Sequence, residues 1–184
     1  IVLTRDMTKA RQWLHNKVRG TERTGVLVTK ESARFKPLAI HILPSGDENA
    51  VHWFLEDKAD TRSSNYLEDA ATEIQVQGLE LDYTCLLWDA DMRYENNNWH
   101  FYRFNGQTKW IELTGTTEGR QEQMKYMLNA YRVLLTRARS GMVICVPTGN
   151  ANKTLTGFWE DNTRLPEFYD GTYQYLKSIG IEEI

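Results

Sequence analysis

At 184 residues the chain has the length of one domain with a real core, and its apolar (41%) and charged (26%) fractions are ordinary for a soluble globular protein. No apolar run approaches the ~20 residues of a membrane span and no signal peptide opens the chain, which argues against a membrane partner and for a cytoplasmic protein. The net charge of −3 neither announces nor excludes a nucleic-acid binder, because local patches rather than the total set phosphate contacts.

The chain enters at Ile1-Val2-Leu3-Thr4 with no initiator Met, which reads as a piece of a longer polypeptide. Thr4 or Asp6 can cap a helix carrying Met7, Ala10, Trp13, Leu14 and Val18 on one face and ending by Gly20. Gly25-Val26-Leu27-Val28 reads as a short buried strand, followed by a polar loop to Pro37. Residues 38–64 carry one apolar burst, Val51-His52-Trp53-Phe54-Leu55, without a clear period. A short helix is expected over 66–71, leading through Glu73-Ile74-Gln75-Val76 and a glycine turn at Gly78 to a strand over 83–88. The run 99–110 reads as a β-hairpin turning at Asn105-Gly106, the dipeptide that a type I′ turn favours, and it marks an insertion over about 92–114. The longest helix is expected over 118–139, with Met124, Met127, Leu128, Tyr131, Leu134, Leu135 and Ala138 on one stripe and Gly141 as its stop. A buried strand follows over 142–146. A C-terminal extension over about 150–184 holds a last short helix near 170–178. Strands alternating with helices predict an α/β domain with a mainly parallel sheet flanked by helices.

Cys85 and Cys145 lie in apolar surroundings and read as reduced core residues of a cytosolic protein. The four histidines have no ligand-like spacing to one another or to the cysteines, so no metal site is indicated. Two segments carry the chemistry. In Thr72-Glu73-Ile74-Gln75-Val76-Gln77-Gly78-Leu79-Glu80-Leu81-Asp82, the glycine permits close backbone approach to a ligand, Gln77 donates and accepts, and Glu80 can accept from a ribose hydroxyl. In Tyr131-Arg132-Val133-Leu134-Leu135-Thr136-Arg137-Ala138-Arg139, helical spacing puts Arg132 and Arg139 on one flank of the apolar stripe and Arg137 on the other. An arginine held there, beside a cleft, can stabilise charge on a transferring phosphoryl group. Each segment also has a plain reading. Gln-Gly is a common turn, and arginines near a helix C-terminus complement its dipole.

Together, and in this order, the two segments resemble motifs V and VI of superfamily 1 helicases. The closer likeness is to a bacterial family that shares its helicase region with group-three Schlafen proteins. The whole run Glu73–Asp82, the run from Asn129-Ala130 to Arg139, the opening Ala10-Arg11-Gln12-Trp13-Leu14, and Asp161-Asn162-Thr163-Arg164 with Tyr169-Asp170-Gly171-Thr172 carry it. The resemblance implies the second, C-terminal RecA-like domain of a P-loop NTPase motor, with a β-hairpin inserted. It implies Arg137 as an arginine finger for the γ-phosphate of ATP, and Gln77, Gly78 and Glu80 as lining for the nucleotide cleft. Thr72 is then placed near the backbone of DNA or RNA, and Arg34 stands as the candidate motif IV arginine. It also implies an upstream RecA-like domain of the same polypeptide as partner, carrying the Mg²⁺ ligands. Two positions depart from the pattern: Leu81 stands for the commoner Phe, and Glu73 where many relatives carry His.

Gly149-Asn150-Ala151-Asn152-Lys153-Thr154 invites a P-loop reading but lacks the second glycine before the lysine, so the chain is expected to be inactive alone. In the hairpin, Trp99 and Arg103 interleave aromatic and basic character and are candidates to stack a base and touch a phosphate, against a plainer reading as strand packing. Two competing functions stay open. One is a metal-dependent nuclease using Asp89, Asp91, Glu80 and Asp82; the other is a degenerate motor domain serving as an interaction module.

Overall fold

The computed structural model describes residues 1–44, 46–106, 109–150 and 161–184. Its first strand, β1 (Val2–Thr4), leads into helix α1 (Met7–Lys17). The Asp6 side chain caps α1 by accepting from the Thr8 N–H at 2.7 Å, and the helix buries Met7, Ala10 and Leu14 at helical spacing. Strand β2 (Thr24–Val28) is buried along its whole length. After β3 (His41–Ile42), the apolar burst resolves as helix α2 (Asp47–Leu55), which drives Trp53 into the core. β4 (Asp69–Thr72) and β5 (Leu81–Leu87) follow.

The next three strands form a separate antiparallel sheet of β6 (Met92–Glu95), β7 (Asn98–Phe104) and β8 (Trp110–Glu112). Then come α3 (Glu118–Leu135), β9 (Ala138–Cys145), α4 (Glu167–Ser178) and β10 (Glu182–Glu183). The main sheet has the order β10-β1-β9-β5-β2-β4-β3, and every pairing in it is parallel. The domain is thus α/β, a RecA-like arrangement of parallel sheet and flanking helices with an added antiparallel hairpin sheet.

Alternation along the central strands explains why both faces of this sheet are covered. Val26, Val28, Cys85, Leu87, Val143 and Cys145 face one core layer with Met7, Ala10 and Leu14 of α1. Leu27, Leu86, Met142 and Ile144 face the other, with Trp53, Tyr131 and Leu134. Both cysteines are free and buried, and burial pushes both thiols up, Cys145 to about 12. Among the described residues no helix is long and apolar enough to cross a membrane.

Two sequence expectations are corrected. The helix expected over 66–71 is instead a turn followed by β4, because Ala70, Ala71 and Thr72 pair with Val26, Leu27 and Val28 of β2. That tertiary pairing outweighs the helix preference of two alanines. The long helix stops at Leu135 rather than 139: Thr136 Oγ1 donates back to Val133 O at 2.8 Å, and the Arg137 carbonyl accepts from the Leu81 N–H at 2.9 Å, so sheet pairing begins there. Gly141 accordingly sits inside β9, where an added Cβ would lie 3.0 Å from the Tyr83 ring. The hairpin expected over 99–110 is present as β7–β8, paired antiparallel from Tyr102–Glu112 to Phe104–Trp110; Asn105-Gly106 opens its connection, which is longer than two residues, with the Asn105 N–H donating to Lys109 O. The inserted sheet has a further tight turn at Asn96-Asn97, both with positive φ (50° and 60°), between β6 and β7. The rejected P-loop segment runs into residues 151–160, outside the described residues.

Candidate functional site

Because all strands of the main sheet are parallel, its two edges collect different loops. Register pairs Val28 with Thr72 and Thr24 with Tyr83, so Thr72 stands at the carboxyl edge and Leu81 at the amino edge. At 3.3 Å per residue the chain between them crosses roughly 20 Å of sheet. It does so as a compact turn. Val76 N–H donates to Thr72 O, Leu79 N–H donates to Val76 O, and the Val76 side chain is buried as the anchor. Gly78 (φ +82°) takes the left-handed conformation that lets the turn close.

At the amino edge the two chemistry-bearing segments are stitched together. Leu81 pairs with Ala138, and Arg137 Nη1 donates to Leu79 O at 3.2 Å. Arg137 also caps α3, with Nε donating to Val133 O at 3.1 Å and Nη2 to Thr136 Oγ1 at 3.2 Å. Arg139, on β9 rather than on the helix, pairs with Glu80 at 3.0 Å in the open, while Gln77 and Gly78 lie exposed beside them. The expected placement of Arg132, Arg137 and Arg139 around one helix is therefore replaced by a cap and a strand. Gln77, Gly78, Glu80 and Arg137 nonetheless share one edge.

The carboxyl edge holds a buried polar hub built on Asp89 and Asp91, which the sequence offered only as carboxylates of a nuclease. Asp91 accepts from Tyr131 OH at 2.6 Å and bonds the Thr29 hydroxyl, itself paired with Ser32. Asp89 accepts from the N–H groups of Ala33, Arg34 and Ala90 and from Tyr169 OH. Burial, with the neighbouring Asp89 charge second, pushes the Asp91 carboxyl up to about 7, and burial raises Asp89 as well. The signal was present in the sequence: two carboxylates follow the apolar run Cys85–Trp88 and alternate with Ala90 and Met92. Glu73, also buried, accepts from Lys30 N–H and from Tyr126 OH, each at 2.8 Å.

Other expected site residues are placed at this carboxyl edge. Thr72 is buried, with its N–H and hydroxyl both donating to Gln75 Oε1. Arg34 lies across the sheet from Glu80 and Arg137 and does not join them. Its guanidinium is engaged by Asp161 at 3.2 Å and Thr163 at 2.6 Å. Trp99 packs among Trp88, Tyr94 and Tyr175, half-buried against the core. Arg103 is exposed, 3.8 Å from Glu31. The four carboxylates of a nuclease are not brought together: Glu80 and Asp82 sit at the amino end of β5, Asp89 and Asp91 are buried past its carboxyl end, and Asp82 accepts from Arg23 N–H. Among the described residues no group of three or more His, Cys, Asp or Glu is gathered to hold a metal ion.

A family model, the Schlafen group 3 DNA/RNA helicase domain, matches residues 1–148. The chain belongs to that family. Neither a curated protein nor a solved structure matches it. In this Schlafen-type helicase domain the matched region takes in every main-sheet strand except β10, together with the inserted sheet and α3. The segment 161–184 lies beyond the match but is packed into the same fold through Tyr169–Asp89 and the Tyr94–Tyr175 ring contact at 4.1 Å.

Proposed function

We propose that this helicase domain is the second motor domain of an ATP-dependent superfamily 1 helicase or translocase, completing an ATP site whose phosphate cradle lies on an upstream domain of the same polypeptide. The observation that carries the reading is the joining of segments 72–82 and 131–139 at the amino edge, where Leu81 N–H bonds Arg137 O and Arg137 Nη1 bonds Leu79 O. On this reading Gln77, Gly78 and Glu80 face the nucleotide, and Arg137 reaches the transferring phosphoryl group once the domains close. On the same reading the Mg²⁺ that accompanies ATP would neutralise charge on the phosphates, with its ligands on the upstream domain.

A second reading, a degenerate domain serving as an interaction module, rests on one observation: three of the five guanidinium donors of Arg137 are engaged within the chain. Nucleic-acid-stimulated ATP hydrolysis by the full-length protein decides between them. Arg137→Ala is expected to lower turnover by roughly 10³-fold or more while nucleotide binding persists. Unchanged hydrolysis removes the finger assignment, and an inactive wild-type protein favours the interaction module.

A further inference from the structure

Two adjoining cavities, of about 200 and 520 Å³, run between the inserted sheet and the amino-terminal half of α3, and they share Arg103, Leu113 and Gln123 as lining. The smaller reaches Lys30 and Tyr126, and the larger extends past Ile111 to Arg120. Neither belongs to the amino-edge site. Three cations thus line one groove on a chain whose net charge is −3. Two acids also line it: Glu112 is engaged by His100 at 2.8 Å, and Glu31 stands 3.8 Å from the exposed Arg103 within the groove, a loose pair that a phosphate can displace.

The inner end of the groove is built rather than incidental. Lys30 Nζ lies 4.0 Å over the Tyr126 ring, whose hydroxyl donates to the buried Glu73. Glu73 also accepts from the Lys30 N–H, so ring, ammonium and the start of the crossing turn are held as one unit. An aromatic ring fixed by its hydroxyl, with an ammonium over one face and two arginines further along an open groove, is the combination that suits a flexible polyanion whose bases stack on the ring's other face. A duplex presents no base face to such a ring.

We propose that the groove between β7–β8 and α3 binds single-stranded nucleic acid, with Tyr126 as a stacking platform and Lys30, Arg103 and Arg120 as phosphate contacts. This rests on the helicase reading only for the kind of ligand. It transfers the base-stacking role expected of Trp99 to Tyr126. It also gives Glu73 the role of a positioning residue between strand and crossing turn.

The test needs no ATP. Fluorescence anisotropy measures binding of the chain to a labelled mixed-sequence 12-nucleotide single strand, the matching duplex, and a poly-glutamate peptide of equal charge. Three phosphate contacts predict a log–log salt slope of about −2, and Arg103→Glu with Arg120→Glu should weaken single-strand binding at least ~10-fold and flatten the slope. Tyr126→Leu should weaken binding with the slope kept, and Tyr126→Phe, which retains the ring, should weaken it less. Lys9→Glu with Lys17→Glu, on α1 at the opposite face of the sheet, should leave binding unchanged. Circular dichroism checks that each variant folds; the two exposed arginines carry the test if Tyr126→Leu does not. Wild-type affinity in the double arginine variant overturns the proposal, as does binding of duplex or poly-glutamate as tight as that of the single strand. The outcome is separable from the motor reading. Lost strand binding with no ATP hydrolysis in the full-length protein leaves the groove and removes the motor, whereas intact strand binding with an Arg137-dependent ATPase does the reverse.

Discussion

Replacing Asp91 by asparagine should make the domain more stable at pH 8 and leave it unchanged near pH 4. Asp91 is wholly buried and burial raises its carboxyl to about 7, so the folded state holds a proton that the unfolded chain, with an ordinary carboxylate, releases near pH 4. Between those values the native state binds more protons than the unfolded state. Stability is therefore full below about pH 4 and falls as pH rises toward 7. A gap of about three pH units corresponds to roughly 4 kcal/mol of stability lost across the window. Asp89 is raised in the same direction and deepens the decline. The hydrogen-bond partners tolerate the amide: its oxygen accepts from Tyr131 OH, and its NH₂ donates to Thr29, whose own proton turns to Ser32.

Urea denaturation followed by tryptophan fluorescence is a direct assay, because Trp88 lies 4.2 Å from the Tyr131 ring that contacts Asp91. The wild-type midpoint should drop from pH 5 to pH 8, and Asp91→Asn should flatten that dependence and exceed wild type at pH 8. Equal destabilisation of the variant at both pH values would refute the reasoning, since it would make Asp91 an ionised structural partner rather than a protonated one.

Two further outcomes follow from packing. Gly171→Ala in α4 gains about 1 kcal/mol of helix propensity, but its Cβ would lie 2.0 Å from the Tyr94 carbonyl oxygen, a backbone atom that cannot swing away. The clash wins, and thermal melting should show a loss of ~3 kcal/mol or more; a stabilised variant would show that α4 does not press on β6. Trp99→Ala should cost about 3 kcal/mol in chemical denaturation, from the ring's place among Trp88, Tyr94 and Tyr175, while leaving single-strand affinity at wild-type level. A large affinity loss in a variant of unchanged stability would restore Trp99 as a base-stacking residue.

The elements legible in the sequence were those whose period is set by their own burial. Val26, Leu27 and Val28 are apolar on both faces because β2 is central, and Met7, Ala10 and Leu14 repeat at helical spacing because α1 covers one sheet face. β4 was illegible because Ala70 and Ala71 carry no strand preference of their own; their pairing with β2 supplies it. β1, β3 and β10 are two or three residues long and exist only as partners in a ladder. The end of α3 was overrun because Leu135 and Ala138 continue the apolar stripe, although the first is exposed and the second begins β9. At the candidate site residue order marked the two segments, and the structure joins them through Leu79, Leu81 and Arg137. The separation of Arg34, Asp89 and Asp91 from those segments was not legible, because it depends on which end of each parallel strand a loop leaves.

That separation also bears on how capping and phosphate contact relate at Arg137. A guanidinium has five N–H donors. Three are engaged, one at Nε and one at each terminal nitrogen, so each terminal nitrogen keeps one further N–H. A side chain fixed at the end of α3 and tied to Leu79 is therefore not spent by its capping role. The cap removes the rotamer freedom that a long, mobile arginine would lose on meeting a phosphoryl oxygen, and it fixes the remaining donors relative to Gly78 and Glu80. Structural and phosphate-binding roles at this position are compatible. Only turnover in the full-length protein, rather than stability of the chain, separates them.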